Sequence, residues 1–175
     1  MIIEDFVPAD LFVHALSTIS HIDDWEDARV FRGGNDAVRN VLDKGKRDSL
    51  ICLPKGAAWE AIRDYVRTDI CLKLENTFGV PIPKMTDIQL LRYEVGGHFA
   101  PHRDKGGPFP NAQFTVVGGI LEAQAGGELY MLEPENTFYR ISPGRLIIFP
   151  SDTLHGSSPV TRGVKIVFVA WLLER

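Results

Sequence analysis

Long apolar runs are missing from this chain: none approaches the roughly 18 to 20 uncharged residues that a membrane-spanning helix needs. No membrane span is therefore expected, and no basic start leading into an apolar stretch marks a signal peptide. Cysteine is nearly absent. Cys52 and Cys71 are too few for a disulfide framework and lack metal-site spacing, so both are read as reduced core thiols, which points to the cytoplasm. A basic excess is missing as well, with 19 Lys and Arg against 23 Asp and Glu and a net charge of -4. That balance gives no general attraction to phosphate backbones, disfavouring nucleic acid and favouring small-molecule or peptide substrates. Neither a repeat nor a low-complexity tail is present. What remains is 175 residues, 45% of them hydrophobic, enough for one globular domain with a sizeable core.

The first part of that domain, residues 1–83, reads as helical support. Met1 to Val7 has strand character, and Pro8 then opens PADLFVHALSTI, an amphipathic helix with Leu11, Phe12, Ala15, Leu16 and Ile19 on one face. FRGGNDAVRNVLDKGKRDS lacks a stable period and is predicted to be a loop, either a surface connection or a substrate lid within residues 30–49. From Ala58 to Phe78, Trp59, Ile62, Val66, Ile70, Leu74 and Phe78 recur at helical spacing, and Gly79 sits where that helix would stop. After Pro83 the grammar changes. IQLLRY, FAPH, FTVVGGIL, GELYML, TFYRI, RLIIFP and VKIVFVAWLL are short apolar runs separated by turn residues, which predicts strands over residues 84–175. The fold class is therefore α+β and mainly β, an antiparallel sandwich or barrel with helices packed outside.

One pattern in the second part carries chemistry. His102 and Asp104 are two apart in FAPHRD, so on a strand they share a face, and His155 in DTLHGSS can join them. Two imidazoles and a carboxylate that leave other positions open are the ligand set of non-heme Fe(II) oxygenases. On the last strand Lys165 alternates in phase with Val167, Val169 and Trp171, while Val164, Ile166, Phe168 and Ala170 form the other face. An ammonium in an apolar row either snorkels to water or meets an anion. A cosubstrate that chelates iron at one end and offers a carboxylate at the other accounts for both features, and 2-oxoglutarate fits that description. Tyr93, nine residues before His102 and separated from it by the flexible Gly96 and Gly97, is either a core or rim tyrosine or a member of the same cavity.

RYEVGGHFAPHRD, AGGELYML and SPGRLIIFPSDTLHGSSPVTRGVKIVFVAW together resemble the catalytic core of the prolyl 4-hydroxylase-like 2-oxoglutarate and Fe(II)-dependent dioxygenases, over about half the chain from near Ile88 onward. The resemblance implies a double-stranded β-helix, a cupin-like jelly roll. It implies iron bound by His102, Asp104 and His155 as the catalytic centre, and 2-oxoglutarate whose distal carboxylate is held by Lys165 with help from the Tyr93 hydroxyl. It further implies O2 as cosubstrate, ascorbate as a supporting reductant, and hydroxylation of an aliphatic C–H bond with release of succinate and CO2. The expected substrate is a prolyl residue, a free amino acid or an amino-acid-derived metabolite.

The chain departs from the pattern at Arg103, where the prolyl hydroxylases usually carry an aromatic residue. By alternation Arg103 points away from iron, into solvent or toward a substrate carboxylate at the rim. Trp171 either lines the substrate space or packs in the core, and Arg39, Arg47 and Arg162 are all candidate partners for a substrate carboxylate. KGGPFPNAQ, stiffened by Pro108 and Pro110, is expected to shape one wall of the mouth, whereas His98, His14 and His21 are not read as ligands. Two other functions compete. AlkB-like nucleobase demethylases share the iron chemistry but hold 2-oxoglutarate with arginines well beyond the second His, and a non-oxygenase metal-binding jelly roll would need no Tyr93 and Lys165 pair.

Overall fold

A computed structural model describes residues 3–34, 37–79, 81, 84–106 and 108–174. Its centre is a large antiparallel sheet in which the strand Ala112–Leu121 lies between Arg145–Pro150 and the last strand, Lys165–Leu173. Outward from these lie Ile3–Phe6 on one side, and on the other Gln89–Tyr93, Leu50–Cys52 and Glu26–Asp27. A second sheet runs in the order Thr137–Tyr139, Leu129–Met131, His155–Ser157, His98–His102 and Arg47–Asp48. The two sheets form the double-stranded β-helix, and the site lies between them.

The last strand shows why both its faces are apolar. Ile166, Phe168, Ala170 and Leu172 join an outer core with the helices, while Val167 and Val169 join an inner core with Leu91, Tyr93, Val117, Leu129 and Phe149. A strand buried on both faces has no polar side to present, so its alternation shows only in Lys165. The outer core rests on the expected long helix, which runs as Ala57–Tyr65, a π-helical turn Val66–Ile70, and Cys71–Phe78. Gly79 ends it in the left-handed conformation (φ 67°), which costs glycine little. Trp59, Ile62, Val66, Ile70 and Leu74 are almost fully buried, and truncating Ile62, Ile70 or Leu74 to Ala costs about 2–5 kcal/mol. Trp59 Nε1 also donates to Thr18 Oγ1 at 2.8 Å, tying this helix to the first one, Ala9–Thr18.

Three expectations need correction. The segment read as a loop contains a hairpin, Val30–Gly34 against Ala37–Val41, followed by Arg47–Asp48 in the second sheet. Its glycines and polar residues hid a short strand period, and its tip at residues 35 and 36 lies outside the described residues. Residues 1–83 are likewise more than helical support, because Ile3–Phe6, Glu26–Asp27 and Leu50–Cys52 complete the large sheet. Backbone pairing to a neighbouring strand, rather than local propensity, makes such short pieces extended. Leu16, expected on the buried face of the first helix, is 41% exposed, whereas Ala15 beside it is fully buried.

Candidate active site

Strand register assembles the site. His155 lies opposite His102 in the second sheet, and Lys165 lies opposite Tyr93 in the large one. These residues line a single cavity of about 810 Å³ between the sheets. One ligand atom each from His102, Asp104 and His155 can be chosen so that all lie within 4.8 Å of one another. Asp104 Oδ1 is 3.4 Å from His102 Nε2, and Oδ2 is 3.5 Å from His155 Nε2.

The backbone fixes both imidazoles. His102 Nδ1–H donates to the Ala100 carbonyl at 3.0 Å, and His155 Nδ1–H to that of Thr153 at 2.9 Å. That leaves each Nε2 facing the shared point, where its lone pair can serve a metal once the nitrogen carries no proton. Phe99 stacks on His102 with centroids 3.6 Å apart, and Phe149 meets His155 edge-on at 4.7 Å. Burial pushes His155 down to about 4, so it is neutral at physiological pH. For Asp104, burial works upward, but the hydrogen bond with His102 and the neighbouring imidazoles hold its carboxyl well below the usual carboxylate range. The Thr115 hydroxyl adds to this by donating to Asp104 Oδ2 at 2.7 Å, and Ser151 Oγ lies 3.0 Å from Thr115 Oγ1.

Lys165 is only 5% exposed. Its ammonium donates to the Gly127 carbonyl at 2.8 Å and to Ser157 Oγ at 2.5 Å, and it stands 4.2 Å from the Tyr93 ring centre. Burial lowers its pKa to about 7. All its direct partners are neutral, so a carboxylate is the missing complement. Tyr93, also buried, has its pKa raised chiefly by desolvation, with Ser49 hydrogen-bonded to its side chain. The donor set of the triad and this buried ammonium, whose hydrogen-bond partners are neutral and which feels only the charge of Glu128 outside them, fit an Fe(II) ion and a chelating dicarboxylate in the same cavity.

Other sequence candidates fall in different places. Trp171 lines the cavity with its ring 4.7 Å from that of Phe109, so Lys105, Gly106, Pro108 and Phe109 do form a wall, and Trp171 Nε1 is buried without a hydrogen-bond partner among the described residues. Arg103 lies at the rim, engaged with Glu133 at 2.8 Å and the Asp152 carbonyl. Arg47 enters the cavity wall, Arg162 is exposed and outside it, and the side chain of Arg39 lies outside the described residues. His98 sits half-exposed beside the Gly96 and Gly45 carbonyls. Sequence reasoning missed Thr115, Ser157 and the Gly127 carbonyl. Only Thr115 carried a signal, as a lone hydroxyl in the apolar run FTVVGGIL.

A jelly roll whose cavity holds two histidines, one carboxylate and a buried lysine defines the class of non-heme iron oxygenases. Known proteins bear this out. Residues 88–173 match the 2OG-Fe(II) oxygenase superfamily. A PKHD-type hydroxylase of Synechococcus sp. (strain CC9902) is 32% identical over 154 residues, covering 85% of this chain and 65% of that protein. PKHD-type hydroxylase YbiX of Escherichia coli is 25% identical over 155 residues, covering 85% and 67%. The chain spans between 41% and 65% of the first four curated relatives. Among solved structures, a Pseudomonas putida prolyl-4-hydroxylase superposes with a TM-score of 0.73 at 17% identity, covering 99% of this chain and 92% of that one. A Trichoplax adhaerens prolyl hydroxylase, in complex with a hypoxia inducible factor peptide fragment, gives 0.78 at 18% identity, covering 99% and 83%. The chain belongs to the 2-oxoglutarate and Fe(II)-dependent oxygenases, and the curated relatives it resembles are PKHD-type hydroxylases.

Proposed function

We propose that the protein works as a single domain and as a 2-oxoglutarate- and Fe(II)-dependent dioxygenase. It hydroxylates an aliphatic C–H bond of a prolyl residue, a free amino acid or an amino-acid-derived metabolite, with release of succinate and CO2. The observation that carries this reading is one cavity lined both by the His102, Asp104 and His155 ligand atoms and by a buried ammonium whose partners are all neutral. His102, Asp104 and His155 would hold Fe(II), and the Lys165 ammonium, with the Tyr93 hydroxyl nearby, would hold the distal carboxylate of 2-oxoglutarate. Bound iron supplies the activation of O2 that aliphatic hydroxylation requires, with ascorbate as the reductant that sustains it.

The chain's own residues do the rest. Thr115 and the two Nδ1–H···carbonyl bonds hold the ligands in one orientation, so little reorganisation accompanies metal binding. Val167, Val169 and Leu91 give the cavity apolar lining, and an apolar surrounding strengthens the pairing of Lys165 with a carboxylate. Trp171 and Phe109 form an aromatic wall against which a substrate can pack. Lysine at position 165, ten residues after His155, favours amino-acid hydroxylation over nucleobase demethylation.

Succinate formation is the direct test, measured with Fe(II), ascorbate and 2-oxoglutarate over a panel of free amino acids and proline-containing peptides. Stimulated turnover that His102→Ala abolishes is the expected result. Turnover unaffected by that substitution would sink the assignment.

A further inference from the structure

The chain has a net charge of -4, yet its cavity wall has the opposite balance. Arg29, Lys46, Arg47, Arg103, Lys105 and Lys165 line it against Glu26, Asp27 and Asp104. Several of these charges are already matched: Asp27 pairs with Lys44 at 2.8 Å and Arg103 with Glu133 at 2.8 Å. Asp104 belongs to the metal and Lys165 to 2-oxoglutarate. Arg29, Lys46, Arg47 and Lys105 remain, with Glu26 beside them in the wall and the Asp104 carboxylate close enough to act on Arg47. A concave wall of one sign concentrates ligands of the other.

Arg47 is the built part of that wall. Its strand pairs with the strand that carries His102, placing Arg47 opposite Phe99. The guanidinium carbon lies 4.7 Å from the Phe99 ring centre, and that same ring stacks on His102. Nε donates to Ser49 Oγ at 3.2 Å and Nη1 to the Arg29 carbonyl at 3.3 Å. Both acceptors are neutral, and Nη2 has no partner among the described residues. Burial lowers the pKa of this guanidinium, a cost that a bound anion would offset. A planar fork held against an aromatic face is suited to two-point recognition of a carboxylate.

We propose that Arg47 is a specificity-determining residue that binds the substrate's own carboxylate, so that the substrate is a small amino-acid-type acid rather than a residue inside a peptide chain. The inference rests on the oxygenase reading above. A residue within a chain brings neutral amides on both sides and leaves the Arg47 charge unanswered. A short free acid answers it and brings its side chain beside the metal ligands.

The test supplies the Fe(II) holoenzyme with the common amino acids in three forms: free acids, primary carboxamides and the central residues of blocked tripeptides. Succinate is the readout. At least one free acid should stimulate turnover with kcat/KM about tenfold or more above its amide and blocked peptide, as expected for one charge-assisted contact. Arg47→Gln should raise KM for that acid about tenfold and level the preference, with Arg47→Lys recovering part of it. Three results overturn the proposal: no free acid stimulates, amides or peptides serve as well, or Arg47→Gln weakens 2-oxoglutarate binding instead. Calorimetry of 2-oxoglutarate on the Mn(II)-loaded protein separates the two layers. Its absence in the unsubstituted protein refutes the oxygenase reading, whereas its presence with any of those three results refutes the role of Arg47 alone. Retained binding in the variants also shows that they are folded.

Discussion

At the metal end of the cavity, buried charge is balanced by the protein itself; at the lysine end it is not. Asp104 stays ionised because the His102 imidazole and the Thr115 hydroxyl favour its anion, and His155 is held neutral beside it. Lys165 is as deeply buried, but its contacts are a carbonyl, a hydroxyl and an aromatic ring, and burial outweighs the charge of Glu128, so its proton affinity falls. The difference separates two ways of building a site. The first end is organised in advance by contacts within the fold, whereas the second stores a desolvation cost that only an incoming anion relieves.

Substitutions at the two ends should therefore behave differently. The largest effect is expected from Asp104→Ala, which removes the only charged ligand. Metal-dependent 2-oxoglutarate binding should fall by more than the roughly 10- to 100-fold typical of changes around a metal site, as read by calorimetry with Mn(II). Lys165→Met should weaken 2-oxoglutarate about 100-fold, the scale of losing one partner of a buried charge pair. The same change should leave the melting temperature of the ligand-free protein unchanged or higher, because it removes an unpaired buried ammonium. A clear drop would mean that the lysine end is as well balanced as the metal end. Thr115→Val is the smaller counterpart, expected to cost about tenfold in metal affinity while 2-oxoglutarate still reaches Lys165.

The same asymmetry explains how much of the molecule was legible in the sequence. His102, Asp104, His155, Tyr93 and Lys165 could be found because strand alternation fixes the face of each, and the barrel topology supplies the register that pairs them. The long helix was legible from Trp59 to Leu74 because its period is carried by large apolar residues. Partners that act through backbone atoms, such as the Gly127, Ala100 and Thr153 carbonyls, carry no residue code at all. The Val30 to Val41 hairpin and Arg47–Asp48 were misread for a related reason. Short strands at a cavity edge are held by pairing to their neighbours, so their sequences can be rich in Gly, Asn and Lys. Arg47 was one of three equivalent candidates until that pairing placed it in the wall.

The smallest expected effect is also the most direct comparison of the two ends, because it counts protons. Burial lowers Lys165 to about 7, against 10.5 for an unburied lysine. In the unfolded chain the side chain therefore holds its proton up to the higher value, while in the ligand-free fold it begins to lose it near 7. Across that window the unfolded state binds more protons, so the Lys165 contribution to stability rises with pH between these values and levels off above them. A carboxylate beside the ammonium restores the proton. Binding of 2-oxoglutarate at pH 8 should thus take up close to one proton, and its affinity should decline as pH rises above 7. Calorimetry of the Mn(II)-loaded protein in two buffers of different ionisation enthalpy measures that uptake, with the metal already bound so that its ligands contribute nothing. Lys165→Met should abolish the buffer dependence of whatever binding remains. If the unsubstituted protein shows no proton uptake, Lys165 is already fully charged before the ligand arrives, and the contrast between a balanced metal end and an unbalanced lysine end disappears.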